Sequence, residues 1–175
     1  MNHHEVEPIP GLPQALPPGE QILWQGRPSW QGLARNTFQV GWVALYFAGL
    51  ALVRVALVQG DLGLGRALWA GAGLLVLGVC CVALLTLLSW AHSRATVYTI
   101  TSKRVVLRIG VALSISFNLP FKRLAAADLR LHHNERGEGD ICLELLGKDR
   151  IGWLHPWPHT RPWRFARAQP TLRSV

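Results

Sequence analysis

FQVGWVALYFAGLALVRVALV, residues 38–58, and ALWAGAGLLVLGVCCVALLTLLSW, residues 67–90, decide how this chain is read. As helices they would reach roughly 31 and 36 Å, against a hydrocarbon core of about 30 Å. Backbone inside lipid must satisfy its own hydrogen bonds, so apolar runs of this length are expected to be helical. Between them lies Gln59–Arg66 (QGDLGLGR), a Gly-rich turn too short to hold a domain. The reading is a two-helix transmembrane hairpin, residues 38–90, with both ends of the chain on one side of a bilayer.

Charge orients the hairpin. Residues 1–90 balance, with Arg27, Arg35, Arg54 and Arg66 against Glu5, Glu7, Glu20 and Asp61. The whole formal net charge of +8 therefore falls after residue 90. Arg27 and Arg35 before the apolar runs, and Arg94, Lys103, Arg104 and Arg108 after them, outnumber the basics of the turn. Basic flanks stay in the cytoplasm, so both termini are expected there, with the membrane crossed more than once. Trp42 and Trp90 fit one interfacial belt and Trp69 the other, and Arg54 can snorkel to the nearer surface. Small residues, Gly41, Ala44 and Ala48 in the first run and Ala67 and Gly71 in the second, would let helix backbones approach closely. Packing within the hairpin accounts for them most simply. A smooth face for another membrane helix is the sharper alternative.

Four further segments flank the hairpin. Residues 1–19 are Pro-rich and without periodicity, which predicts a disordered tail. Residues 20–37 form a juxtamembrane segment whose apolar patch, Ile22–Leu23–Trp24, would dock on the interface or on the later domain. Residues 91–155 alternate in short runs: Val97–Thr101, Arg104–Ile109, Leu113–Leu119, Leu129–His133, Ile141–Leu146 and Arg150–His155, with a helical turn over Phe121–Ala127. Six short strands at this spacing predict a small antiparallel sheet or barrel. Residues 156–175 are a basic, aromatic, Pro-rich tail with no clear element.

The chemistry-bearing residues do not converge. There is no P-loop, no GxGxxG and no GxSxG around Ser114 or Ser116. Cys80, Cys81 and Cys142 have neither CxxC nor metal spacing and read as small apolar packing residues. His155 and His159 form HxxxH, but Pro156 and Pro158 break the helix that would face both rings together, so no metal is expected. His92, two residues past Trp90, is read as an interfacial histidine rather than a pigment ligand. No cofactor and no catalysis are expected. Basic charge without a recognition motif speaks for anionic lipid rather than nucleic acid. Trp24, Arg27 and Arg104, with Trp157, Arg161, Trp163 and Arg164 of the tail, are the partner- or lipid-binding candidates, because tryptophan and arginine anchor both kinds of surface.

GEQILWQGRP (Gly19–Pro28), two apolar runs, then YTITSKRVVLRIG (Tyr98–Gly110) resembles membrane proteins carrying the bacterial pleckstrin-homology-like domain. NLPFKRL (Asn118–Leu124), ADLRLH (Ala127–His132), GDICLELLGKDRIGWLHPWPHTRPWR (Gly139–Arg164) and the final LRSV are similar to a narrower group, the photosynthetic-complex assembly proteins of purple phototrophic bacteria. That resemblance implies a pleckstrin-homology-like cytoplasmic domain, a non-enzymatic role in assembly, contacts with reaction-centre and core antenna subunits, and dimerisation. It also implies a bacterial inner (intracytoplasmic) membrane, and a helix closing one end of the barrel after Leu172–Val175; as the sequence stops there, either a truncated form or a barrel open at that end is expected.

Overall fold

A computed structural model describes residues 11–12, 14–111, 114–132, 138–146, 159 and 169–175. It divides into two units: a β unit of Met1–Leu33 with Ala91–Val175, and a helical unit of Ala34–Trp90.

In the β unit, a four-stranded antiparallel sheet runs β1 (Ile22–Gly26), β2 (Val97–Thr101), β3 (Arg104–Ile109), β4 (Ile115–Pro120) in that spatial order. A second sheet runs β5 (Leu124–Leu131), β6 (Gly139–Leu145), β7 (Thr171–Leu172). Tyr98, Val105, Leu107, Ile109 and Leu119 of the first sheet meet Leu143 and Leu172 of the second in one buried cluster. Alternation puts these side chains on the inner faces, the arrangement that lets two sheets share a core.

Four expectations are sharpened or revised here. The patch Ile22–Trp24 docks on the later domain, of the two expected surfaces, and does so as the start of a strand, β1, antiparallel to β2. Residues 11–19 are not a solvated tail at their described end, since Leu12 is buried. The helical turn expected over Phe121–Ala127 is a 3-10 turn of Phe121–Arg123 only, and Leu124–Leu131 continues as β5. Its Ala-rich sequence favours helix locally, but register with β6 from Leu124↔Leu145 to Leu131↔Gly139 overrides propensity. Finally, the C-terminal residues are woven into the second sheet: Leu172 pairs with Ile141, and Gly139 and Val175 exchange backbone hydrogen bonds of 3.0 Å. The strand expected at Arg150–His155 lies outside the described residues.

Ser29 starts the short helix α1 (Trp30–Gly32), its Oγ accepting the Gly32 N–H at 3.1 Å, and a π-helical turn of Leu33–Thr37 follows. The helical unit is dominated by α2 (Val40–Ala95), which spans 56 residues. It is long and apolar enough to cross a membrane, and only 11% of its most apolar window is buried by protein. A helix apolar all round and left uncovered suits lipid better than water.

Where a turn is expected, at Gln59–Arg66, α2 continues with a break at one residue. Gly63 alone leaves helical geometry, at φ 74° and ψ 161°, a conformation reserved for glycine. Beyond it, a Cβ on Gly71 would stand 2.6 Å from Val55 Cγ2 and 3.2 Å from the Ala51 carbonyl oxygen. A Cβ on Gly78 would stand 2.6 Å from Phe47 Cβ. In a straight helix, Phe47 and Gly78 would be roughly 46 Å apart, so these contacts are made across the break. Ala67 and Gly71 are buried, whereas Gly41 and Ala44 are exposed and Ala48 is half-buried.

Candidate functional site

The motif Y-T-I-T-x-x-R is explained residue by residue by its partners. On β2, Tyr98 and Ile100 face the core, while Thr99 and Thr101 face the N-terminal segment. Gln25 Nε2 donates to Thr99 Oγ1 at 3.0 Å. Thr101 Oγ1 accepts the Arg104 N–H at 3.1 Å, closing the turn into β3, and donates to Glu20 Oε1 at 2.6 Å. Arg104 Nε reaches the same carboxylate oxygen at 2.8 Å. Glu20 is buried, and the hydrogen bonds from Thr101 and Arg104 hold its carboxyl below the usual range against the opposing effect of burial. GEQ and TxxR are thus two halves of one joint, 81 residues apart at Glu20 and Thr101.

A second polar group fills the core. Tyr98 and His159 are both fully buried. Tyr98 Oη lies 2.6 Å from His159 Nδ1 and accepts the Arg173 backbone N–H at 3.2 Å; Thr96 Oγ1 lies 3.2 Å from His159 Nε2. The consistent assignment has the tyrosine hydroxyl donating to Nδ1 and the Nε2–H donating to Thr96, so the imidazole is neutral. Burial, reinforced by the neighbouring His92 and Arg173, depresses the His159 pKa to about 3. Burial likewise raises that of Tyr98. Beside this pair, Asp140 accepts Arg173 Nη1 at 2.8 Å and the Ser174 N–H at 3.0 Å.

Both networks are buried, and each ties together segments far apart in the sequence. Among the described residues, no group of three or more His, Cys, Asp or Glu is placed to hold a metal. A cavity of about 260 Å³ lined by Asp128, Arg130, Asp140, Cys142, Thr171 and Arg173 borders the Asp140–Arg173 pair.

Three of the binding candidates, Trp24, Arg27 and Arg104, fall among the described residues. Arg104 is engaged by Glu20. Trp24 stands on the edge strand at 40% exposure, and Arg27 is exposed just beyond it. Trp157, Arg161, Trp163 and Arg164 lie outside the described residues, so only His159 of the WPHTRPWR run is placed. Sequence reading missed Glu20, although it is the sole acid between Glu7 and Asp61, a signal that it has a partner. It weighed His159 as a metal ligand; the structure gives that ring to Tyr98 and Thr96.

Strands before and after a long apolar helix are joined into one β unit, and that helix is long and apolar enough to cross a membrane. The chain belongs to the bacterial PH domain family, which it matches over residues 38–155. It is 39% identical over 178 residues to a Rhodobacter capsulatus protein described as an uncharacterized 23.7 kDa protein in the puhA 5′ region, covering 100% of this chain and 83% of that one. No solved structure matches. The family is one of non-catalytic modules.

Proposed function

We propose that this chain is a PuhB-type assembly factor: a non-enzymatic membrane protein that holds subunits of the photosynthetic reaction centre and its core light-harvesting antenna while they associate. The observation that carries the reading is the relative named for the puhA region, a photosynthesis gene region, aligned along the whole chain. A β module without a catalytic constellation supports a binding role.

In this reading α2 is a two-helix hairpin that crosses the bilayer twice. As one rod its 56 residues would run to roughly 84 Å, nearly three hydrocarbon thicknesses. Strand β1 precedes α2 and β2 follows it, and their pairing supports an even number of crossings. The excess of basic residues on that side makes it the cytoplasm. Ala67 and Gly71 serve packing within the hairpin, which leaves the exposed Gly41 and Ala44 face for nascent pigment-protein helices or for a second copy of the chain. The β unit binds extramembrane segments of the partners, with Trp157, Arg161, Trp163 and Arg164 as anchors. Transient holding of this kind needs modest interfaces and no bond chemistry.

Affinity isolation from native phototrophic membranes tests the reading. Reaction-centre subunits without a full antenna should co-purify. Recovery of the protein only in completed complexes, or without any reaction-centre subunit, refutes it. The net charge of +8 favours a second reading, a general membrane-anchored lipid- or protein-binding module. Vesicle binding indifferent to reaction-centre partners would select that one.

A further inference from the structure

Strand β1 is an edge strand with an unusual surface. Every residue from Ile22 to Gln25 is exposed, Leu23 to 65% and Trp24 to 40%, and Trp30 follows at 41%. Between Gln21 and Gly60 the sequence has no acid, and Arg27 is exposed within this strip.

Three observations say what covers it. First, the register slips between Ile22↔Thr101 and Trp24↔Ile100, so Leu23 is a bulged residue thrown outward. A bulge on an edge blunts the addition of another strand, which argues against a peptide extending the sheet and for a surface that needs no straight edge. Second, the strip is tied, within the β unit, to the segment that follows the apolar run in sequence. Ser93, three residues past Trp90, donates its hydroxyl to the Pro28 carbonyl at 2.6 Å. Third, Trp24 is held in place without being buried. Its six-membered ring lies over Gly26, where any Cβ would collide with it. Half-exposed tryptophans beside an arginine are the composition of a headgroup-level contact.

We propose that Leu23, Trp24 and Trp30 rest in the headgroup layer of the bilayer, with Arg27 on the phosphate of an anionic lipid, so that this strip seats the β unit on the membrane surface. The proposal rests on reading α2 as a membrane element.

The test uses the full chain in lipid nanodiscs, with Cys80, Cys81 and Cys142 replaced by alanine and one fluorophore on Leu23→Cys. Lipids carrying a spin label at the headgroup should quench it by about twofold or more. A fluorophore on Ser116→Cys, on the opposite edge strand, should stay unquenched. Arg27→Glu should reduce the quenching in discs containing phosphatidylglycerol and leave it unchanged in pure phosphatidylcholine. A fluorophore on Leu52→Cys, read with lipids spin-labelled in mid-chain, separates the two levels of the reading. If position 52 is quenched and position 23 is not, the membrane element stands and this proposal falls. A blue-shifted but unquenched fluorophore at 23 would mean that a second copy of the chain covers the strip, which also overturns it. If neither position is quenched, the membrane reading itself fails.

Discussion

Acidifying the protein from pH 7 to pH 4.5 should loosen the β unit through a single imidazole. In the unfolded chain, His159 takes up a proton near its ordinary value of 6.5; in the folded chain it does so only at about 3. Because the folded value is depressed, the stabilisation is complete above 6.5 and is lost progressively as pH falls from 6.5 towards 3. One differential proton is worth about 1.4 kcal/mol per pH unit, so about 3 kcal/mol should be gone by pH 4.5. That is a large share of the 5–15 kcal/mol typical of a domain. Urea unfolding in detergent, followed by near-ultraviolet circular dichroism, measures it. His159→Gln lacks the titration, so its midpoint should be lower at pH 7 and nearly flat from 6.5 to 4.5. Tyr98→Phe strands the His159 Nδ1 and the Arg173 N–H in the core and should cost about 2–4 kcal/mol at neutral pH. Parallel pH profiles for the parent and His159→Gln would refute the reasoning, because the buried neutral imidazole would then contribute no linkage.

Arg104→Ala should cost about 1–3 kcal/mol by leaving the buried Glu20 carboxylate with Thr101 alone, and combining it with Glu20→Gln should recover part of the loss. The same titration sign applies to Glu20: its stabilisation is present above about 4.5 and disappears below it, and Arg104→Ala should shift that loss to higher pH. Gly78→Leu would drive a side chain into Phe47 and should lower the melting temperature in detergent by an amount equivalent to about 1–3 kcal/mol, whereas Gly41→Leu, at an open site, should leave it unchanged.

Much of the fold was legible because its signals are local. Strands β2 and β3 stand at the residues that alternation and flanking turns indicate, and the apolar length of α2 needs no partner to be read. The errors share one physical cause. β1 (ILWQG) does not alternate and β7, two residues long, is too short for periodicity to speak; each becomes a strand only through a partner far along the chain. Leu124–Leu131 carries helix-favouring alanines, and only the facing strand decides otherwise. The site followed the same rule. Exposed Trp24 and Arg27 could be named from composition, but the Glu20–Thr101–Arg104 joint and the Tyr98–His159 pair exist only once distant segments meet.

The apolar helix is an insertion within the β unit, and this has a consequence for how the protein is made. Strand β1 leaves the ribosome first and has nothing to pair with until β2 appears. Glu20 must wait 81 residues for Thr101, about 4–16 s at common rates of synthesis. If the helix crosses a membrane as proposed above, the joint can close only when the second segment emerges on the same side as the first, so completion of the sheet would depend on an even number of crossings.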